Sequence, residues 1–125
     1  MKKTILTMVI VVSSILAFAQ TNTDIVGEWY NAEKDAVITL FEEEGTISGK
    51  ITWMKFPNDE DGNPRADPLN PDESLRSRAR MGMVMMHSFA HIEGKVWDNG
   101  KLYDPKKGKT YSGIMTLKDA NTLDL

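Results

Sequence analysis

The clearest pattern along the chain is an alternation with period two. Over residues 46–54 the odd positions Ile47, Gly49, Ile51 and Trp53 are apolar or small, while Thr46, Ser48, Lys50 and Thr52 are polar. Successive side chains of a strand point to opposite faces, so this stretch predicts a strand with one buried face. Residues 110–117 repeat the arrangement, with Tyr111, Gly113, Met115 and Leu117 set against Thr110, Ser112 and Thr116. Each stretch carries a mid-strand glycine on its apolar side. Two readings fit: room for a neighbouring side chain in a tightly curved sheet, or a local bulge.

Further strands follow from β-branched and aromatic runs. Residues 36–41 predict one, turned back by Glu43-Glu44-Gly45, and Gly27-Glu28-Trp29-Tyr30 opens the domain with another. Asp98-Asn99-Gly100 lies between Val96-Trp97 and Lys101-Leu102-Tyr103. Asn-Gly tolerates positive φ at both positions, so a tight hairpin is expected there. The next turn spans residues 104–108, and residues 121–125 begin a last strand. Short antiparallel strands in chain order predict a mainly β, up-and-down meander that forms a barrel or a sandwich.

One segment breaks the rhythm. Residues 56–71 hold four of the five prolines together with Asp59, Glu60, Asp61, Gly62 and Asn63. Such a run reads as a long surface loop. Pro71-Asp72-Glu73 then resembles a helix cap and first turn, with a short helix over residues 74–80. Met81, Met83, Met85 and Met86 return the chain to apolar character, either as core strand or as the pliable lining of a ligand cavity.

The N-terminus alters the compartment. Lys2 and Lys3 precede an apolar run over residues 5–16, and Ala17 and Ala19 supply the small residues a signal peptidase accepts. The stretch falls short of the roughly 20 residues a membrane span needs. Cleavage between Ala19 and Gln20 is expected, leaving residues 20–125 as a single β domain, without a transmembrane segment, in the periplasm or outside the cell. The whole 125-residue chain has 15 basic and 18 acidic side chains, and loss of Lys2 and Lys3 makes the remainder more acidic. That balance argues against nucleic acid as a partner. With no cysteine, disulfides, thiol catalysis and Cys-ligated zinc are excluded.

Catalytic and metal-binding patterns are weak. His87 and His91 are four apart, but Ser88 stands where H-E-x-x-H needs glutamate. On a strand that spacing is about 13 Å, too far for one metal. The acidic run fails as a calcium loop, because its first and twelfth positions are Pro57 and Pro68. No metal and no cofactor is implied. Asp67, Asn70 and Asp104 stand beside turns, with Arg76, Arg78 and Arg80 nearby in sequence. Asx residues at turns commonly bond their own backbone, and arginines commonly pair with acids.

These residues resemble a family. Gly27-Glu28-Trp29, residues 36–40, Gly49-Lys50-Ile51-Thr52-Trp53, Asp61-Gly62-Asn63-Pro64, Asp67 with Asn70-Pro71, Gly100-Lys101-Leu102-Tyr103-Asp104-Pro105 and Gly108-Lys109-Thr110-Tyr111-Ser112-Gly113 follow its order. Together they resemble the secreted bacterial proteins catalogued as domain of unknown function 2147. The resemblance implies a small lipocalin-like β-barrel with no established activity, and Gly27-x-Trp29 is similar to the first-strand motif of lipocalins. Family members continue through a further strand to a segment like Gln-Thr-Trp-Thr-Arg, whose arginine would lie over Trp29. This chain stops at Leu125, so the resemblance implies a barrel that lacks its closing strands and keeps an open edge.

Three functions are weighed. The first is a binding module for a small apolar or amphipathic molecule or an envelope component, with Trp53, Met83 and Met85 as apolar lining and Asn70, Arg78 and Asp104 as polar contacts at the rim. The second is an envelope-acting enzyme with Asp67 or Asp104 as general acid or base. The third is a structural or stress protein whose barrel is filled by its own side chains. Trp29 is expected at the base of the sheet, with Ile38 or Leu40, Ile51 and Tyr111 in or near the core.

Overall fold

A computed structural model describes residues 23–125; the leader and its cleavage point lie outside these residues. Seven strands form: β1 (Gly27–Tyr30), β2 (Ala36–Glu43), β3 (Thr46–Met54), β4 (Val84–Glu93), β5 (Val96–Asp104), β6 (Lys109–Asp119) and β7 (Thr122–Asp124). They make one sheet in the order β1-β2-β3-β4-β5-β6-β7, each antiparallel to its neighbour in sequence. Every connection is therefore local, as the meander reading requires. β1 and β7 have one neighbour each, so the sheet is a curled, incomplete barrel. No helix among the described residues is long and apolar enough to cross a membrane.

The turns follow from backbone chemistry, with one correction. β2 and β3 are joined at Glu44 and Gly45, whose φ values of 52° and 83° give the mirror-image turn that matches strand twist. Asp98-Asn99-Gly100 is not a hairpin. It lies inside β5, and the chain reverses earlier, between Glu93 and Val96, through Gly94 and Lys95. Trp97 pairs with Met115 and Gly100 with Gly113, so Asp98 and Asn99 together face one residue of β6. Asn99 has φ 65°. The positive-φ tolerance of Asn-Gly serves a bulge as well as a turn, and here the tertiary pairing selects the bulge. A second bulge lies in β4, where Ile47 pairs with Phe89 and Gly49 with Met86, leaving His87 and Ser88 opposite Ser48; Ser88 has φ 66°.

The core explains these irregularities. Ile25, Leu40, Ile47, Met86, Phe89, Trp97 and Met115 form one buried cluster, with Trp29 and Ile38 packed against it. Ile51 is buried too. Phe89 lies so close to β5 that a Cβ at position 100 would stand 2.3 Å from its ring, and one at position 113 would stand 3.4 Å away. The ring thus occupies the space above a Gly100–Gly113 cross-strand pair. At Gly49 a Cβ would meet Leu40 at 2.9 Å and the Met86 sulfur at 3.2 Å, and the β3–β4 register shifts on both sides of it. Close approach and bulging therefore occur together at Gly49.

Two other expectations change. Tyr111 is 42% exposed: among the described residues β7 pairs with β6 only from Thr116 to Asp119, so Tyr111 is flanked by β5 alone. The helix expected over residues 74–80 is a single 3-10 turn, Glu73–Leu75, capped by Asp72. A continuing helix would bond the Arg80 N–H to the Arg76 carbonyl. Instead the Arg76 carbonyl accepts from the Asp67 N–H, and the Arg80 N–H donates to the Arg65 carbonyl.

The Phe89–Gly100 contact yields a stability prediction. Gly100→Ala overpacks the core and is expected to cost about 1–3 kcal/mol, each kcal/mol lowering Tm by roughly 4–8 °C. In thermal melts, Gly100→Ala combined with Phe89→Leu should cost less than the sum of the two single changes, because both act in one space.

Candidate functional site

The long connection between β3 and β4 is ordered by its own polar residues. The Asp59 carboxylate accepts from the N–H groups of Asp61 and Asn63, each at 3.0 Å, so the acidic run holds its own turn. Further on, Asp67 is fully buried and takes three donors. One oxygen accepts from the Tyr103 hydroxyl at 2.7 Å, the other from the Asn70 amide at 2.8 Å and the Arg78 guanidinium at 3.2 Å. Tyr103 belongs to β5, so this carboxylate ties the loop to the barrel wall. The turn after β5 receives the loop directly: Gly108 has φ 66°, and a Cβ there would fall 2.2 Å from the Leu69 carbonyl oxygen.

The cluster shifts both titrating groups. Burial pushes the Asp67 carboxyl up, but hydrogen bonds from Asn70, Tyr103 and Arg78, with the Arg78 charge, outweigh it and hold the pKa below the usual carboxylate value. Burial, then donation to the Asp67 carboxylate, pushes the Tyr103 hydroxyl up to about 12.

Beside this anchor the concave face of the sheet opens into a cleft of about 1410 Å³. Trp29, Ile38, Met85, Leu102 and Leu123 contribute its apolar lining. The Trp29 indole N–H donates to the Ile25 carbonyl at 2.8 Å, which satisfies its polar atom. Away from the cleft the interior is solid, filled by Ile25, Ile47, Phe89 and Trp97. Lys106 also lines the cleft and pairs with Glu33 at 3.2 Å and Asp35 at 3.5 Å, linking the turn after β5 to the loop after β1.

The residues singled out in the sequence divide into three groups. Met85 and Asp104 line the cleft. Asn70 and Arg78 are engaged by Asp67, and Met83 is buried beside the loop, where its N–H donates to the Arg80 carbonyl. Trp53 lies apart from the cleft, 43% exposed, with its ring edge-on to Tyr30 at 6.2 Å. The strand alternation that would turn it inward is broken opposite Thr52, since Ile38 pairs with Ile51 but Val37 pairs with Trp53. Of the two carboxylates considered for acid–base work, Asp67 is enclosed, and Asp104 accepts from the Lys106 N–H at 2.9 Å. The cleft also gathers Arg65 and Lys106, which carry no local motif and reach the same cleft from the loop and from the turn after β5.

The family model described as an uncharacterized protein conserved in bacteria (DUF2147) matches residues 27–125. The chain belongs to this family. No curated protein matches it. Among solved structures, this DUF2147 chain is similar to protein HP1028 from the human pathogen Helicobacter pylori, which belongs to the lipocalin family. The TM-score is 0.64 at 23% identity, covering 79% of this chain and 68% of that one. The DUF2147 chain thus has a lipocalin-like fold.

The Asp67–Tyr103 bond adds to stability in a way that depends on pH at both ends of the range. Tyr103 has a raised folded pKa, so its contribution is complete below pH 10 and is lost as pH rises toward about 12. Asp67 has a depressed folded pKa, so its contribution holds above about pH 4 and falls away below it. Denaturation followed across pH should show both limbs. Tyr103→Phe should shrink the alkaline limb, to which Lys106 also contributes, and Asp67→Asn should cost about 1–3 kcal/mol at neutral pH.

Proposed function

We propose that this DUF2147 protein is an exported binding module whose cleft holds the apolar body of a small amphipathic molecule. The observation that carries the reading is the cleft itself: half-buried apolar side chains line a concavity at one end of an otherwise solid core. Mouths of β-barrels are common ligand sites, with apolar walls and a few polar groups that fix orientation. Met85 and Leu102 would contact the apolar body, and Asp104 would stand at the polar edge. Met side chains adapt to irregular shapes, which suits a ligand of variable length. Export rests on the leader pattern at residues 1–19.

Native mass spectrometry of the protein recovered from the envelope of a Gram-negative host should find a recurrent adduct of lipid-like mass. Met85→Trp, which fills the cleft, should weaken saturable binding of the neutral probe phenylnaphthylamine at least about tenfold, while Trp53→Ala leaves it unchanged. A bare protein that never binds the probe would overturn the binding module. Sequencing of the envelope-fraction protein should begin at Gln20, and a chain retained in the cytosol with residues 1–19 intact would overturn export.

A further inference from the structure

Arg65 and Arg80 are both partly buried and both line the cleft. Their backbones are bonded to each other, the Arg80 N–H donating to the Arg65 carbonyl at 2.9 Å. Each guanidinium is also fixed through one nitrogen: Arg65 Nε donates to the Phe56 carbonyl at 2.9 Å and Arg80 Nε to the Ala66 carbonyl at 2.8 Å. A guanidinium carries five N–H donors in a planar fork, so these bonds set each fork's orientation and leave its terminal nitrogens available. Among the described residues, Arg76, Arg78 and Lys106 make ion pairs with acids, whereas no ion pair joins Arg65 or Arg80 to a carboxylate. The cleft's lining also carries five acids: Lys106 pairs with Glu33 and Asp35, the Asp104 carboxylate accepts from the Lys106 backbone N–H, and Glu28 and Asp124 line it without an ion pair to either arginine.

We infer that Arg65 and Arg80 form the headgroup site of the cleft and that its ligand is an anionic amphiphile, an alkyl chain ending in a carboxylate or phosphate. This inference rests on the binding-module reading and adds the charge and position of the ligand's head. A partly desolvated guanidinium without a counter-ion is costly, and an oxyanion held by its terminal N–H groups offsets that cost with short, charge-assisted bonds. The apolar wall beginning at Phe56 and Met85 then receives the chain.

Displacement of phenylnaphthylamine from the full-length protein, with ligands below their micelle concentrations, tests this. Dodecanoate or dodecyl phosphate should displace the probe at concentrations at least about tenfold lower than dodecanol, as expected for a charged hydrogen bond, and dodecyltrimethylammonium should be weakest. The ranking of dodecanoate against dodecyl phosphate identifies the head. Arg65→Gln with Arg80→Gln should abolish the preference for anions, bringing the dodecanoate midpoint up to that of dodecanol. Should those variants fail to fold, the wild-type series decides alone. Equal displacement by dodecanoate and dodecanol, or a preference for the ammonium, would overturn the headgroup site and leave the apolar cleft standing. Absence of probe binding by a folded wild-type protein would overturn both.

Discussion

The ring of Phe89 fills the space where a side chain at position 100 would begin, and much of the sheet's shape depends on that contact. A residue with a Cβ at position 100 would force β5 away from β4 or drive the ring out of the core. Glycine there, paired across β6 with Gly113, lets a large aromatic pack against the wall of a narrow barrel. The bulges at Ser88 in β4 and Asn99 in β5 flank the same place. Bulges bend a strand and increase its twist, so they belong with the curl that brings Ile47, Trp97 and Met115 around the ring.

That filled end sets the conditions for the hollow one. Interiors pack densely where side chains interdigitate, and here the two fully buried aromatics, Phe89 and Trp97, lie together in the filled part. Beyond them, Met85, Leu102 and Ile38 are only partly buried, and among the described residues β1 and β7 form the two edges of the sheet. The cleft lies on the side of the core away from Phe89 and Trp97.

The loop between β3 and β4 is held to this frame by a buried charge. Removing Asp67 from water is unfavourable by itself, yet its two oxygens receive a hydroxyl, an amide and a guanidinium. A buried carboxylate supplied with that many donors is well satisfied. The cost of leaving any of these donors unpaired makes the docked position of the loop specific. Arg65 and Arg80 are placed at the cleft by the same loop, which joins the anchor to the site.

The sequence by itself determined the strand content, the order of the meander and most turns, because period-two alternation and glycine-bearing turns act over a few residues. The strand Thr46–Met54 and the turn over residues 104–108 could be read from local pattern alone. For Asp67, Asn70 and Arg78 it left a turn-and-ion-pair reading beside a functional one, and only the fold joined Asp67 to Tyr103, 36 positions away. Only the tertiary structure decided whether Asn99-Gly100 would turn or bulge, since both use the same backbone conformation and the choice lies in pairing with β6. Phe89 carried no local signal, because its importance comes from glycines on other strands. Trp53 left the interior through a one-residue shift in register, which reverses the facing of every later side chain. Arg65 and Arg80 lie fifteen positions apart, and only a loop pinned by Asp67 brings two such distant charges to one cleft.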